Sequence, residues 1–155
     1  MAINMAIIGY GGMGGWHHAS IRQRVPQIQV TGAYDIRQEA RQKAQENGLY
    51  TYNSLEELLD DSSVELVTVA TPNNFHKPLV IRCLEAGKNV VCEKPVAVSY
   101  THLIKIYQNL LAIGAGAEEF VAESFSAACC GNHRKLWLGS GSERRTKLFL
   151  CLLGS

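Results

Sequence analysis

The segment Gly9-Tyr10-Gly11-Gly12-Met13-Gly14 directly follows the apolar run Met5-Ala6-Ile7-Ile8. Three of its glycines have separate physical uses. Gly9 permits a tight turn out of a strand, where a side chain would clash. Gly11 lets backbone approach an anionic ligand with no Cβ between them, and Gly14 lets the following helix pack close to the sheet. The helix that opens here presents unpaired amides and a partial positive charge, which suit phosphate. A glycine-rich turn alone is weak evidence, because it can be only a turn. Its position between a strand and a helix strengthens the phosphate reading.

The rest of the chain repeats the strand-then-helix order as far as about residue 111, which implies a parallel sheet covered by helices. Strands are expected at Ile3–Ile8, Ile28–Tyr34, Leu49–Tyr52, Glu65–Ala70 and Asn89–Cys92. Helices are expected from the glycine loop to about Arg24, over Gln38–Glu46, from Leu55, from about His76 to Ala86, and after Ser99. Asn47-Gly48 and Gly87 are good helix stops, since glycine accepts the left-handed conformation. Ser54 with Glu57 forms a capping box for the helix at Leu55. The last helix carries Leu103, Ile106, Tyr107, Leu110 and Leu111 on one face, although His102 replaces the acid of a capping box behind Ser99. The fold class is α/β, a doubly wound parallel sheet.

Residues 1–114 read as one domain and residues 115–155 as an atypical tail. In the tail, an edge strand is expected near 119–124, around Phe120-Val121-Ala122, and another over Leu148–Leu153. With 46% hydrophobic and 19% charged residues, the 155-residue chain suits a globular protein. A net charge of +1 from 15 basic and 14 acidic residues points to no nucleic-acid or membrane-surface partner. No apolar run reaches the roughly 18 residues of a membrane span, and no signal segment opens the chain, so a cytoplasmic setting is expected. None of the five cysteines has C-x-x-C spacing, and no metal site is expected. Cys83 and Cys92 read as buried hydrophobes; Cys129 and Cys130 receive no role.

Asp35 ends the second strand, 21 residues after Gly14. A carboxylate there accepts hydrogen bonds from the ribose hydroxyls of a dinucleotide and repels a 2′-phosphate, which favours NAD over NADP. Arg37 complicates this choice, because a guanidinium two residues on can pair with that phosphate. The plainer alternative for Asp35 is a turn or capping residue. A methyltransferase also places an acid here, but Met13 departs from its G-x-G-x-G loop.

Thr71-Pro72-Asn73-Asn74-Phe75-His76 leaves the fourth strand at the same ligand edge. Asn73 and His76 offer polar atoms to a ribose or nicotinamide; capping by Asn73 or Asn74, with His76 solvated, is the alternative. Glu93-Lys94-Pro95 follows the fifth strand. Lys94 beside a cofactor can bind a substrate hydroxyl and help move its proton, and desolvation beside a cationic ring would favour its neutral form. Its alternative is a surface lysine in a turn. His17 and His18 read as packing or solvated residues rather than metal ligands.

These motifs together resemble the N-terminal domain of the glucose-fructose oxidoreductase/inositol dehydrogenase (Gfo/Idh/MocA) family. The matching stretches are Ile7–Gly14 with His17, Tyr34-Asp35, Val69–Asn73 with His76, and Leu84–Pro95, within residues 3–111. The resemblance implies a dinucleotide-binding Rossmann fold. Its expected cofactor contacts are Gly9, Tyr10, Gly11, Gly12, Met13, Gly14, Asp35, Arg37, Ala70, Thr71, Pro72, Asn73, His76, Glu93 and Lys94, with Lys94 also catalytic. It further implies oxidation or reduction of a carbinol carbon on a sugar or polyol, with NAD as cofactor and NADP possible. Family members continue into a substrate-binding, oligomer-building α/β domain, which is expected to be missing here, so no oligomeric state follows. From Ser126 onward the chain does not look like the family. The expected function is therefore the cofactor part of an NAD(P)-dependent oxidoreductase. A non-catalytic dinucleotide-binding module and an inactive fragment are the alternatives.

Overall fold

A computed structural model describes residues 2–94 and 148–151, and every strand and helix expected before residue 94 forms. The chain divides into two compact units, Met1–Pro72 and Asn73–Ser155.

The first unit runs β1 (Ile3–Ile8), α1 (Gly12–Arg24), β2 (Ile28–Tyr34), α2 (Gln38–Glu46), β3 (Tyr50–Thr51), α3 (Leu55–Asp60) and β4 (Leu66–Val69). β1 pairs in parallel with both β2 and β4, and β2 pairs in parallel with β3. The order across this sheet is therefore β3-β2-β1-β4. Strands of a parallel sheet covered by helices are buried on both faces, and Met5–Ile8 and Leu66–Val69 are accordingly buried and almost unbroken apolar runs. Between Met5 and Ala6 the register with β2 shifts by one residue, and the Thr31 hydroxyl donates to the Met5 carbonyl at 3.3 Å.

The strand order reverses at β1. By the right-handed crossover rule, α1 and α2 belong on one face of the sheet and α3, on the return from β3 to β4, on the other. The reversal leaves a crevice at the C-terminal ends of β1 and β4, the usual ligand position in such sheets.

Helix ends follow local chemistry. At the end of α2 the Gly48 N–H donates to the Gln45 carbonyl and the Leu49 N–H to the Ala44 carbonyl, with Gly48 at φ +82. This is a Schellman stop, and it turns Leu49 into the core beside Ile7, Tyr10, Ala33 and Ala44. β3 is consequently shorter than expected, because Leu49 belongs to the stop. Ser54 caps α3 by accepting from the Glu57 N–H at 3.0 Å, while the Glu57 carboxylate reaches back to the Asn53 N–H at 2.7 Å.

The second unit contains α4 (Asn73–Glu85), β5 (Asn89–Glu93) and β6 (Leu148–Cys151). Helix α4 starts at Asn73, three residues before the expected position. First-turn N–H groups need no intrahelical partner, so Asn73 and Asn74 can join the helix directly after Pro72. Pro78 lies inside α4, where it has no N–H to offer the preceding turn. The helix ends at Gly87 in a second Schellman arrangement, with Gly87 N–H on the Leu84 carbonyl and Lys88 N–H on that of Cys83. β6 pairs in parallel with β5, Val90 opposite Leu148 and Glu93 opposite Cys151. The expected helix after Ser99 and the strand near Phe120 lie outside the described residues.

Candidate functional site

In the first unit the glycine loop and the exit of β4 meet at the crevice. Gly9 has φ +92, and a Cβ on it would stand 2.8 Å from the Ala70 carbonyl oxygen and 2.9 Å from Thr71 Cγ2. A Cβ on Gly14 would collide with the Gly9 carbonyl oxygen and lie 3.2 Å from Ile7 Cγ2. Only glycine fits at these two positions, so α1 can start directly over the end of β1. At Gly12 a Cβ would meet nothing within 4 Å. α1 opens at Gly11 with no side-chain cap and no acidic residue in its first turn. An open approach to an uncapped helix start fits a pyrophosphate.

Tyr10, between the glycines, turns its ring inward and is buried in the core. Its hydroxyl lies 2.7 Å from His18 Nδ1. Burial first, and then Arg22, hold His18 below its usual value, which favours the neutral ring as acceptor. Tyr10 can therefore offer a ligand only its backbone. Met13 is exposed, and His17 is buried edge-on to Trp16. A groove of ≈ 600 Å³ opens beside the loop between α1 and α2, lined by Gly12, Trp16, His18, Arg22 and Lys43 among others. Neither Asp35 nor the β4 exit lines it, but it shares Gly11 and Gly12 with the glycine loop.

Asp35 is buried at the end of β2. Its Oδ1 accepts from the Arg37 N–H at 2.9 Å and from Arg37 Nε at 3.1 Å, and its Oδ2 accepts from Arg37 Nη2 at 3.1 Å. Burial alone would raise this carboxyl's pKa, but the Arg37 guanidinium and main-chain N–H outweigh it and hold Asp35 below the ordinary carboxylate value. Arg41 Nη1 donates to the Asp35 main-chain carbonyl at 2.6 Å. Sequence reasoning missed Arg41; its position one helical turn after Arg37 on α2 was the available signal.

Ala70 and Thr71 are half-buried and Pro72 is exposed. In the second unit Asn73 is exposed at the start of α4, and His76 is fully buried rather than solvated. Glu93 is buried at the end of β5, and Lys94, next along, is exposed. The desolvation expected for Lys94 is absent from the chain as it stands. Cys83 and Cys92 are buried free thiols, and burial pushes Cys83 up to about 12, as befits an inert core residue. Among the described residues no helix is long and apolar enough to cross a membrane, and no His/Cys/Asp/Glu group could hold a metal ion.

A parallel sheet that reverses beside a glycine cradle, with an acid closing the next strand, defines a dinucleotide-binding α/β domain. The family model for the oxidoreductase family with an NAD-binding Rossmann fold matches residues 3–112, and the chain belongs to that family, Gfo/Idh/MocA. Inositol 2-dehydrogenase of Rubrobacter xylanophilus is 33% identical over 113 residues, 72% of this chain and 33% of that protein. The crystal structure of an NAD-binding protein from Listeria innocua superposes with a TM-score of 0.68 at 41% identity, over 73% of this chain and 32% of that one. GenD2 from gentamicin A biosynthesis, crystallised in complex with NAD, gives 0.66 at 27% identity, over 83% and 39%. The chain spans about a third of the length of the curated relatives it matches.

Proposed function

We propose that this chain is the cofactor-binding part of an NAD-dependent dehydrogenase that acts on a carbinol carbon of a sugar or polyol. The observation that carries the proposal is the glycine cradle closed by Asp35 in a chain matched over residues 3–112 to an oxidoreductase family. The names of relatives such as inositol 2-dehydrogenase support the substrate class. Residues 1–114 are read as the dinucleotide-binding domain, consistent with where the family match ends, and residues 115–155 as a tail. A net charge of +1 supports a small-molecule substrate over nucleic acid. The buried free thiol of Cys83 suits a reducing, cytoplasmic setting.

In this reading the amides of Gly11, Gly12 and Met13 receive the pyrophosphate, Asp35 receives the ribose hydroxyls, and Ala70, Thr71 and Pro72 border the crevice. Asn73, His76, Glu93 and Lys94 carry roles implied by the family resemblance, toward the nicotinamide half. Bound NAD would supply a hydride acceptor. Lys94 Nζ would hold the substrate hydroxyl and take its proton. An exposed lysine is poorly suited to that step, so its cover has to come from dinucleotide and substrate. NADP would need a cation for its 2′-phosphate, and Arg37 is the candidate.

Calorimetric titration with NAD, followed by assays on a polyol panel with a relative's substrate domain supplied, tests the proposal. NAD binding, with NADH formation that Lys94→Met abolishes, is the expected result; failure to bind either dinucleotide would overturn it. The exposure of Lys94 favours one second reading, a binding module without turnover. That reading predicts NAD binding and no NADH under every condition.

A further inference from the structure

The groove between α1 and α2 carries chemistry that the dinucleotide reading does not use. Its volume of ≈ 600 Å³ lies within the range of small-molecule sites. At one end it shares Gly11 and Gly12 with the glycine loop. Gly12 and Gly15 leave room in it, since a Cβ on either would meet nothing within 4 Å. Further along stand Trp16, His18 and Arg22 on α1 and Lys43 on α2, none of them among the expected cofactor contacts. No Asp or Glu lines the groove, and among the described residues neither Arg22 nor Lys43 pairs with a carboxylate. Two cations that share a groove with no counter-ion favour an anion there. Trp16 is 43% exposed, a large apolar surface left beside those cations. An indole so placed offers its face to a flat ring. His18 adds a neutral donor. Its Nδ1 faces the Tyr10 hydroxyl at 2.7 Å, and with that hydroxyl donating, the ring proton sits on Nε2.

We propose that this groove is a second ligand site, for a small phosphate monoester of a flat ring. Arg22 and Lys43 hold the phosphate, whose charge of about −2 at neutral pH they balance. The ring lies on Trp16, and His18 Nε2 donates to a polar atom of the ligand. Arg22 comes ten residues after Gly12, about 15 Å along a helix. A phosphate held there is beyond the reach of the amides of Gly11, Gly12 and Met13, so the ester and a dinucleotide bind together. The inference goes beyond the cofactor reading and does not depend on it. Arg22 and Lys43 are exposed on their helices, so loss of either charge leaves the fold intact.

The test is a titration of the full chain with phenyl phosphate, followed by the ¹⁵N spectrum of the Trp16 indole N–H, which Trp16→Phe identifies. The expected result is a saturable shift with a Kd at or below about 1 mM. Inorganic phosphate should bind at least about tenfold more weakly, because it has no ring to stack. Arg22→Gln and Lys43→Gln should each weaken phenyl phosphate about fivefold, and the double variant at least about twentyfold, the scale of exposed charge-assisted contacts. Saturating NAD should leave the Kd of the ester within about threefold of its value without NAD, since the two sites hold separate phosphates. The site is overturned if no shift appears by about 10 mM ester, if the double variant binds as the parent does, or if NAD expels the ester. Inorganic phosphate binding as tightly as the ester would overturn the ring on Trp16. Failure to bind NAD would sink the cofactor reading alone, because the Arg22 and Lys43 variants decide the groove without it.

Discussion

The adenosine end of the proposed site and the lysine end are built to different degrees. In the first unit Gly9 and Gly14 are locked against backbone, and Asp35 is buried and held by three hydrogen bonds from Arg37. At the end of β5, Glu93 is buried but the adjacent Lys94 stands exposed. A phosphate cradle needs backbone geometry, which one glycine loop, one strand end and one helix start supply together, and the acid beside it is held by its own neighbour Arg37. A proton-transfer lysine needs a dry, oriented environment, and orientation of that kind comes from groups on both sides of a substrate. In the proposed reading the nucleotide end is formed by backbone within the first unit, and the lysine end depends on cover from cofactor and substrate.

The comparison breaks most readily at Gly14. Gly14→Ala forces a Cβ into the Gly9 carbonyl, and urea unfolding should show a loss of about 3 kcal/mol or more, with NAD binding lost too. Gly9→Ala meets both a positive φ and the Ala70 carbonyl, so it should lose about 2 kcal/mol in the same assay. A next step down is Asp35→Ala. NAD affinity should fall about tenfold to a hundredfold by calorimetry, the effect of losing charged hydrogen bonds. NADP affinity should fall less, because the variant also loses the repulsion of the 2′-phosphate; equal losses would remove the assigned role.

The pH dependence sharpens the same contrast. Asp35 is held below the ordinary 3.8 in the fold, so its pairing with Arg37 stabilises fully above that value and is lost as pH falls through the lowered one. Melting temperatures followed from about pH 7 to about pH 3 should be flat at first and then fall, and Asp35→Asn should flatten part of the acid limb. The smallest effect is expected far from either end. Ser54→Ala removes the cap of α3 and should cost about 1 kcal/mol on unfolding with unchanged NAD affinity.

The two ends also differ in how much the sequence discloses. Strand and helix order through β5 was legible because apolar runs, glycine stops and the Ser54 cap are local signals. The side chain of Tyr10 was not, because nothing in a glycine-rich run says which way the residue between two glycines turns. The pairing of Asp35 was only half legible. Arg37 stood out as a possible phosphate partner, but its pairing with Asp35 depends on how the chain bends between β2 and α2. His76 reads equally as ligand-facing or solvated in a six-residue loop, and its full burial on α4, which starts early, is not a local signal. The exposure of Lys94 depends on what covers it, which is not a local property of Glu93-Lys94-Pro95.

Dissecting the dinucleotide tests the central claim most directly. Calorimetry of the full chain with ADP-ribose, nicotinamide mononucleotide and NAD separates the prepared end from the unprepared one. The expected result is ADP-ribose binding within about tenfold of NAD and no detectable heat from nicotinamide mononucleotide. Binding of the mononucleotide as tight as that of ADP-ribose, or no binding of ADP-ribose where NAD binds, would contradict a preformed adenosine site built on Gly9, Gly14 and Asp35.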